Sequence, residues 1–302
     1  MNRDARFQIV QNLFKAGLAV SEDVHIALND AVNEEDPEER LVNLLLQHGA
    51  SPMANDCKTL IDASQNMASS SLNLLLQRDI AEKDINRAFN GAFTAATFQS
   101  WFTDRGLATA KMLLDKGAKG DAITTALVCV METSKGTLAD EFVDLLVGYG
   151  PDVNFNNGQP LQVAASKANG TWTRKLLDCH PTSETLSLAF QCIFDTALPQ
   201  DEVLDLFKSF AEYREGGVGI DVMATMQGAD PVLVRAIKQY PRSPLIAETL
   251  LDAGYYHDQT VQCTLHEGAE PEEVTLLTWA IAQPQKRVSS AVVELLVERG
   301  GE

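Results

Sequence analysis

The chain has 302 residues, 45% of them apolar and 22% charged, a composition that excludes a disordered, collagenous or purely coiled-coil protein. Its 24 Lys and Arg against 42 Asp and Glu give 24 − 42 = −18 at pH 7, a charge that repels phosphate backbones and argues against nucleic acid as a partner. No apolar stretch approaches the roughly 18 residues a membrane helix needs, and none of signal-peptide length follows the N-terminus. Five scattered cysteines read as reduced thiols, so a cytoplasmic protein is expected.

Taken in chain order, one short apolar phrase ending in a turn residue keeps returning. It opens as Leu13-Phe14-Lys15-Ala16-Gly17 and returns as Leu44-Leu45-Leu46-Gln47-His48-Gly49, Leu74-Leu75-Leu76-Gln77-Arg78-Asp79 and Met112-Leu113-Leu114-Asp115-Lys116-Gly117. Leu145 to Gly150, Leu176 to His180, a weaker Leu206 to Phe210, Leu250 to Gly254 and Leu295 to Gly300 complete the series. The turn positions 17, 49, 79, 117, 150, 180, 210, 254 and 300 are separated by 32, 30, 38, 33, 30, 30, 44 and 46 residues. A spacing in the low thirties with two stretched final intervals marks a repeat protein. A second apolar segment precedes most of these phrases, at 24–28, 85–89, 123–128, 161–165, 186–190, 232–237 and 276–281. Apolar residues at i, i+3 and i+4 predict short helices. The glycine after each leucine phrase predicts a left-handed C-terminal cap. Two such helices cannot bury their own apolar faces, so neighbouring units are expected to stack.

The unit Gly150-Pro151-Asp152-Val153-Asn154, Gly158-Gln159-Pro160-Leu161-Gln162-Val163-Ala164-Ala165 and Lys175-Leu176-Leu177 resembles the ankyrin repeat family. Gln159 and Gln162 stand where that family has the Thr and His of its T-P-L-H phrase, and only 59–63 and 275–280 echo it elsewhere. The resemblance implies an all-α ankyrin-type helix-turn-helix solenoid of about nine units, the last two with longer insertions; a tetratricopeptide or HEAT-like solenoid is the alternative. One array over 1–302 is expected, divisible into regular repeats at 1–210 and two elongated ones at 211–302. Both chain ends are untidy, which suggests a segment of a longer array. The alternating runs Val222–Met226 and Val261–Leu265 predict short strands in lengthened finger loops, or an extra turn of helix.

Chemistry finds little support. Cys179-His180 with Cys192, and Cys263 with His266, come nearest to metal-ligand spacing, yet neither group supplies four ligands. Gly216-Gly217-Val218-Gly219 lacks the lysine and hydroxyl residue of a phosphate loop. No cofactor, metal site or catalytic residue is predicted. Trp172 and Trp279 fall in helical phrases and are expected in the core, whereas Phe98, Trp101 and Phe102 sit in the insertion that lengthens the third interval.

The resemblance further implies finger loops along a concave face, where partners are held. The loop residues Met53, Asn55, Phe155, Asn156, Tyr255, Tyr256 and Asp258 are the candidate contacts, aromatic anchors being typical of protein interfaces. Thirds of the chain carry −6, −3 and −9, so a basic partner surface is expected to dock near the C-terminal third. The expected function is a non-catalytic protein-binding scaffold, monomeric or part of a larger chain. The alternative is a regulatory or sensor arm of a larger enzyme or receptor.

Overall fold

The computed structural model describes residues 2–34, 37–195, 198–213, 219–224, 229–255, 260–263, 270, 272–284 and 287–300. They are overwhelmingly helical, and the chain divides into two compact units, Met1–Pro151 and Asp152–Glu302. Among the described residues no helix is long and apolar enough to cross a membrane.

The first unit holds α1 (Arg3–Lys15), α2 (Glu22–Val32), α3 (Glu39–Gln47), α4 (Ala54–Gln65), α5 (Ser69–Leu76), α6 (Glu82–Ala92), α7 (Phe98–Trp101), α8 (Asp104–Asp115), α9 (Asp121–Thr133) and α10 (Thr137–Gly148). The second holds α11 (Phe155–Ser166), α12 (Gly170–Leu177), α13 (Ser183–Cys192), α14 (Gln200–Glu212), α15 (Val232–Gln239), α16 (Pro244–Asp252), α17 (Leu276–Ala282) and α18 (Ser290–Glu298). Every leucine phrase lies in or at the end of a helix, as its periodicity predicts. In the first unit α2 packs on α4, α4 on α6 and α6 on α9, while α1, α3, α5, α8 and α10 form a second line of successive neighbours. The two lines are joined where α2 meets α3, α4 meets α5, α6 meets α8 and α9 meets α10. In the second unit α11 packs on α12 and α13, α13 on α14, α15 on α16, and α17 on α18. The leucines explain this order. Leu28, Leu41, Leu45, Leu60, Leu72 and Leu75 are all essentially inaccessible, and each contributes about 2 kcal/mol only because a neighbouring helix covers it.

The helix ends are set by backbone geometry. Seven of the nine turn residues are left-handed, among them Gly49 (φ 94°), Gly117 (φ 113°), Gly254 (φ 103°) and, without a glycine, His180 (φ 58°). At Gly17, Gly49, Gly117 and Gly254 the paired hydrogen bonds of a Schellman turn close the end: for instance, Ala50 N–H donates to Leu45 O at 3.0 Å and Gly49 N–H to Leu46 O at 3.1 Å. Asp79 and Phe210 are the two exceptions, and at Phe210 the helix α14 runs on to Glu212. Past the turn, a side chain of the preceding helix pair captures the incoming backbone. His25 Nδ1 accepts from Ser51 N–H (3.1 Å), Asn86 Oδ1 from Lys119 N–H (2.8 Å), Asn154 Oδ1 from Thr182 N–H (2.8 Å) and Ser187 Oγ from Asp221 N–H (2.8 Å). Loop amides that would otherwise go unpaired are thereby satisfied by side chains of preceding helices and their flanking residues.

The 38-residue interval is explained by an aromatic cluster. Trp101 is 2% exposed, donates its indole N–H to Thr94 O at 2.9 Å, and meets Phe93, Phe98 and Phe142 with ring centroids 5.4, 4.8 and 5.4 Å away. Gly106 admits this cluster, because a Cβ there would lie 1.7 Å from Trp101 O. The insertion is therefore core. Trp172 and Trp279 are core as well. Of the two alternating runs, the second forms a strand: β1 (Thr260–Cys263) pairs antiparallel with β2 (Glu272–Thr275), Thr260 opposite Thr275. In the first run Val222 and Met223 form a turn, and its residues 225–226 lie outside the described ones.

Two substitutions test the left-handed geometry in opposite directions. Ala168 caps α11 at φ 53° and donates to Ala165 O at 3.0 Å, a conformation that costs any residue with a Cβ. Ala168→Gly is expected to stabilise the chain by about 0.5–1 kcal/mol, the left-handed strain relieved less the extra entropy of unfolded glycine. Gly158 stands at φ 84° with Thr185 Cγ2 2.6 Å from where a Cβ would sit, and Gly158→Ala is expected to cost about 2 kcal/mol. Urea unfolding reads both; two changes of the same sign would contradict this backbone.

Candidate functional site

The loops that carry most of the candidate contacts share one unusual backbone. Residues 49–60 and 150–161 align at an offset of 101, with Gly49 on Gly150, Asn55 on Asn156 and Leu60 on Leu161, and with Cys57 standing where the second loop has Gly158. In each loop three consecutive residues are left-handed, Asn55, Asp56 and Cys57 (φ 51°, 56° and 65°) and Asn156, Asn157 and Gly158 (φ 48°, 59° and 84°). Asn and Asp tolerate this region because their short polar side chains bond locally. The left-handed turn reverses the chain just before the right-handed helix begins. It leaves Asn55, Asp56, Asn156 and Asn157 exposed while Cys57 and Gly158 are buried against the next helix.

Local bonds hold each tip. Asp56 accepts from Arg87 of α6 at 2.8 Å, and the Cys57 thiol lies 3.3 Å from Asp84 Oδ1 on the same helix. Asn156 Nδ2 donates to Gln159 Oε1 at 3.0 Å, and Gln162 Nε2 reaches back to Asn157 O at 2.7 Å. Met53 and Phe155 are half-buried beneath these tips. Between α2 and α4 a cavity of about 210 Å³ is lined by His25, Asn29 and Asp30 on one side and Asn55, Lys58 and Thr59 on the other. Ile26 and Ala54 complete the lining, so candidate Asn55 borders a groove of mixed character. Along the same helices Asp62 accepts from Lys58 (2.7 Å) and Asn33 (3.4 Å), and Asn66 donates to Asn33 (2.8 Å). These bonds are solvent-exposed and worth under about 1 kcal/mol each, so they order side chains more than they stabilise the fold.

One candidate is corrected. Tyr255 is 4% exposed and presents no ring to a partner. It follows the left-handed Gly254 and donates its N–H to Leu250 O at 3.1 Å, which makes it the residue of a Schellman turn that packs back on its own helix. Burial pushes its phenol pKa well up. Ala50 and Ala118 occupy the equivalent position and are buried too. Tyr256 and Asp258 lie outside the described residues. Asp56 was not singled out from sequence, and Cys57 figured only as one of five thiols; the signal for the turn was the 101-residue offset, which sets Cys57 on a glycine.

The remaining chemical groups are dispersed. His48 stacks on Phe14 with ring centroids 4.1 Å apart, and His180 occupies a turn. The Cys179 thiol faces Lys175 O at 3.5 Å and Cys192 faces Leu188 O at 3.5 Å. Among the described residues no three His, Cys, Asp or Glu are arranged to hold a metal. His257 and His266 lie outside them. No protein-family model matches the chain, and no curated protein matches it.

Burial raises the pKa of all four fully described thiols, Cys57 to about 11 and Cys192 to about 12. An ordinary thiol near 8.5 is a few per cent thiolate at neutral pH, so these react slowly. Alkylation of Cys57, Cys129, Cys179 and Cys192 in the folded chain by iodoacetamide at pH 7, read residue by residue by mass spectrometry, is expected to be at least tenfold slower than that of a free thiol. Because the folded values exceed the unfolded ones, the stability held below about pH 8.5 drains away as pH rises toward 11 and 12. Rapid labelling of Cys179 at pH 7 would revive a nucleophilic role.

Proposed function

We propose that the chain is an ankyrin-type repeat solenoid that binds a protein partner through its loop tips and first-helix faces, without catalysis. The observation that carries this reading is the recurrence of one loop backbone at 49–60 and 150–161, each ending in exposed Asn or Asp side chains on a fixed left-handed turn. Rigid polar tips on stacked helix pairs bind by shape and charge, and they lose little entropy on doing so. Successive packing of α2, α4, α6 and α9 supports the same reading, since it sets first helices side by side. A groove bordered by Asn55, Lys58 and Ile26 adds a surface of mixed character that a peptide or loop can enter.

The acidic surplus selects a basic partner surface. Glu270, Glu272 and Glu273 are exposed beside β2, in the third of the chain with −9. Charges of that kind act chiefly on the association rate and fall off over a Debye length of about 10 Å at 0.1 M salt.

Affinity capture with the purified chain at about 50 and 300 mM salt identifies the partner; retention only at the lower salt is expected. Replacing Glu270, Glu272 and Glu273 by Gln should then slow association with that partner by about three- to tenfold at 50 mM salt and flatten its salt dependence. A partner bound equally well by this variant at both salts would remove the electrostatic part of the proposal; no partner at either salt would remove the whole.

A further inference from the structure

One helix leaves uncovered what its counterparts bury. In the leucine-phrase helices α3, α5, α8, α10, α12, α16 and α18, the residues eight and four places before the turn are at most 3% exposed, Leu41 and Leu45 of α3 and Phe142 and Leu146 of α10 among them. In α1 the same places hold Ile9 and Leu13, each 48% exposed. The residue after the turn repeats the contrast, for Leu18 is 42% exposed where Ala50 and Ala118 are buried. We infer that this face of α1 is a docking site for one amphipathic α-helix of a partner protein, acidic in its first turn and antiparallel to α1.

The other helices show what covers such a face. Each packs on the first helix of its own pair: α3 on α2, α5 on α4, α8 on α6, α10 on α9, α12 on α11, α16 on α15 and α18 on α17. α16 isolates the effect, since it packs on its first helix and on the following α18, and its Ile246 and Leu250 are inaccessible. α1 packs on the following α3, but among the described residues it has no first helix beside it. Short links such as the one from α2 to α3 make paired helices antiparallel, so a helix in the equivalent place runs antiparallel to α1. Its apolar stripe, at i, i+3 and i+4, would continue the α2–α3 and α4–α5 interfaces by one more member.

Size and charge narrow the occupant. A cavity of about 180 Å³ is lined by Leu13, Leu18 and other apolar side chains of α1, α2 and α3, with Arg6, Ser21 and Asp23 its polar members. That is below the roughly 300–1,000 Å³ of small-molecule sites, and it suits aliphatic side chains projecting from a helix. α1 carries Arg3, Arg6 and Lys15 against Asp4, 3 − 1 = +2 in a chain of −18. Arg6 is paired with Glu34, whereas Lys15, in the last turn, has no ion-pair partner among the described residues. An antiparallel helix brings its first turn to Lys15, and the chain's own first helices are acidic there, with Glu22 and Asp23 in α2 and Glu82 and Asp84 in α6. Opposite charges at that end set the direction of docking. This inference makes no use of the loop tips and does not depend on the reading given for them.

The test titrates the full chain with a labelled synthetic peptide copying residues 21–33, the first helix on which α3 packs, and with a scrambled peptide of the same composition. Fluorescence anisotropy and methyl NMR shifts are the readouts. Saturable binding at least tenfold tighter than that of the scramble, with shifts at Ile9, Leu13 and Leu18, is expected. Ile9→Asp and Leu13→Asp, both at half-exposed residues, should each weaken binding at least tenfold and leave the circular dichroism of the free chain unchanged. Lys15→Glu should weaken it about threefold, and a peptide with lysines for its two first-turn acids should recover the loss. No binding, equal binding of the scramble, or binding undiminished in both Asp variants would each overturn the site. Shifts at Leu41 and Leu45 instead would mean that the peptide displaces α2, which overturns it too. Self-association of the free chain that Ile9→Asp abolishes would make a second copy the occupant and overturn the assignment to a partner.

Discussion

No described helix in this chain exceeds 13 residues, and helices of that length are marginal in water on their own. Every other feature follows from that constraint. Within each unit short helices persist because neighbouring helices cover their leucines, and at seven of the nine turn positions a left-handed residue turns the chain toward the next one. The paired Schellman bonds that close the turn, and the single side-chain bond that catches the backbone two residues later, are small individually. Together they convert a row of unstable segments into an ordered stack of neighbours.

Much of this was legible from residue spacing. The leucine phrases and the segments before them all fall in helices, because period-3.6 burial leaves an unambiguous trace when it recurs nine times. The left-handed caps were legible wherever glycine marked them. His180 and Ala168 were not, since nothing in a residue with a Cβ announces a positive φ that the surrounding packing imposes. The same blindness hid the triplet Asn55–Cys57, whose glycine position is filled by cysteine.

Tyr255 illustrates a different gap. An aromatic next to a turn glycine in a loop-like stretch reads as displayed, yet the residue following a Schellman turn points inward to its own helix. Direction, not position in the loop, decides exposure. Among the described residues, charge pairing is confined largely to exposed pairs such as Arg87 with Asp56 and Arg174 with Asp205, so the fold draws little from it.

The left-handed turn at Asn156–Gly158 also bears on how the protein ages. An asparagine followed by glycine is the dipeptide most prone to lose its side-chain amide, because the glycine nitrogen is free to attack it and close a succinimide ring. Here that nitrogen is occupied: Gly158 N–H donates to Asn154 O at 3.2 Å, and the Asn157 carbonyl is held by Gln162. The turn that displays the asparagines therefore also withholds the nucleophile that would convert one of them to aspartate. An exposed polar tip keeps its chemical identity for as long as the helices beneath it stay folded.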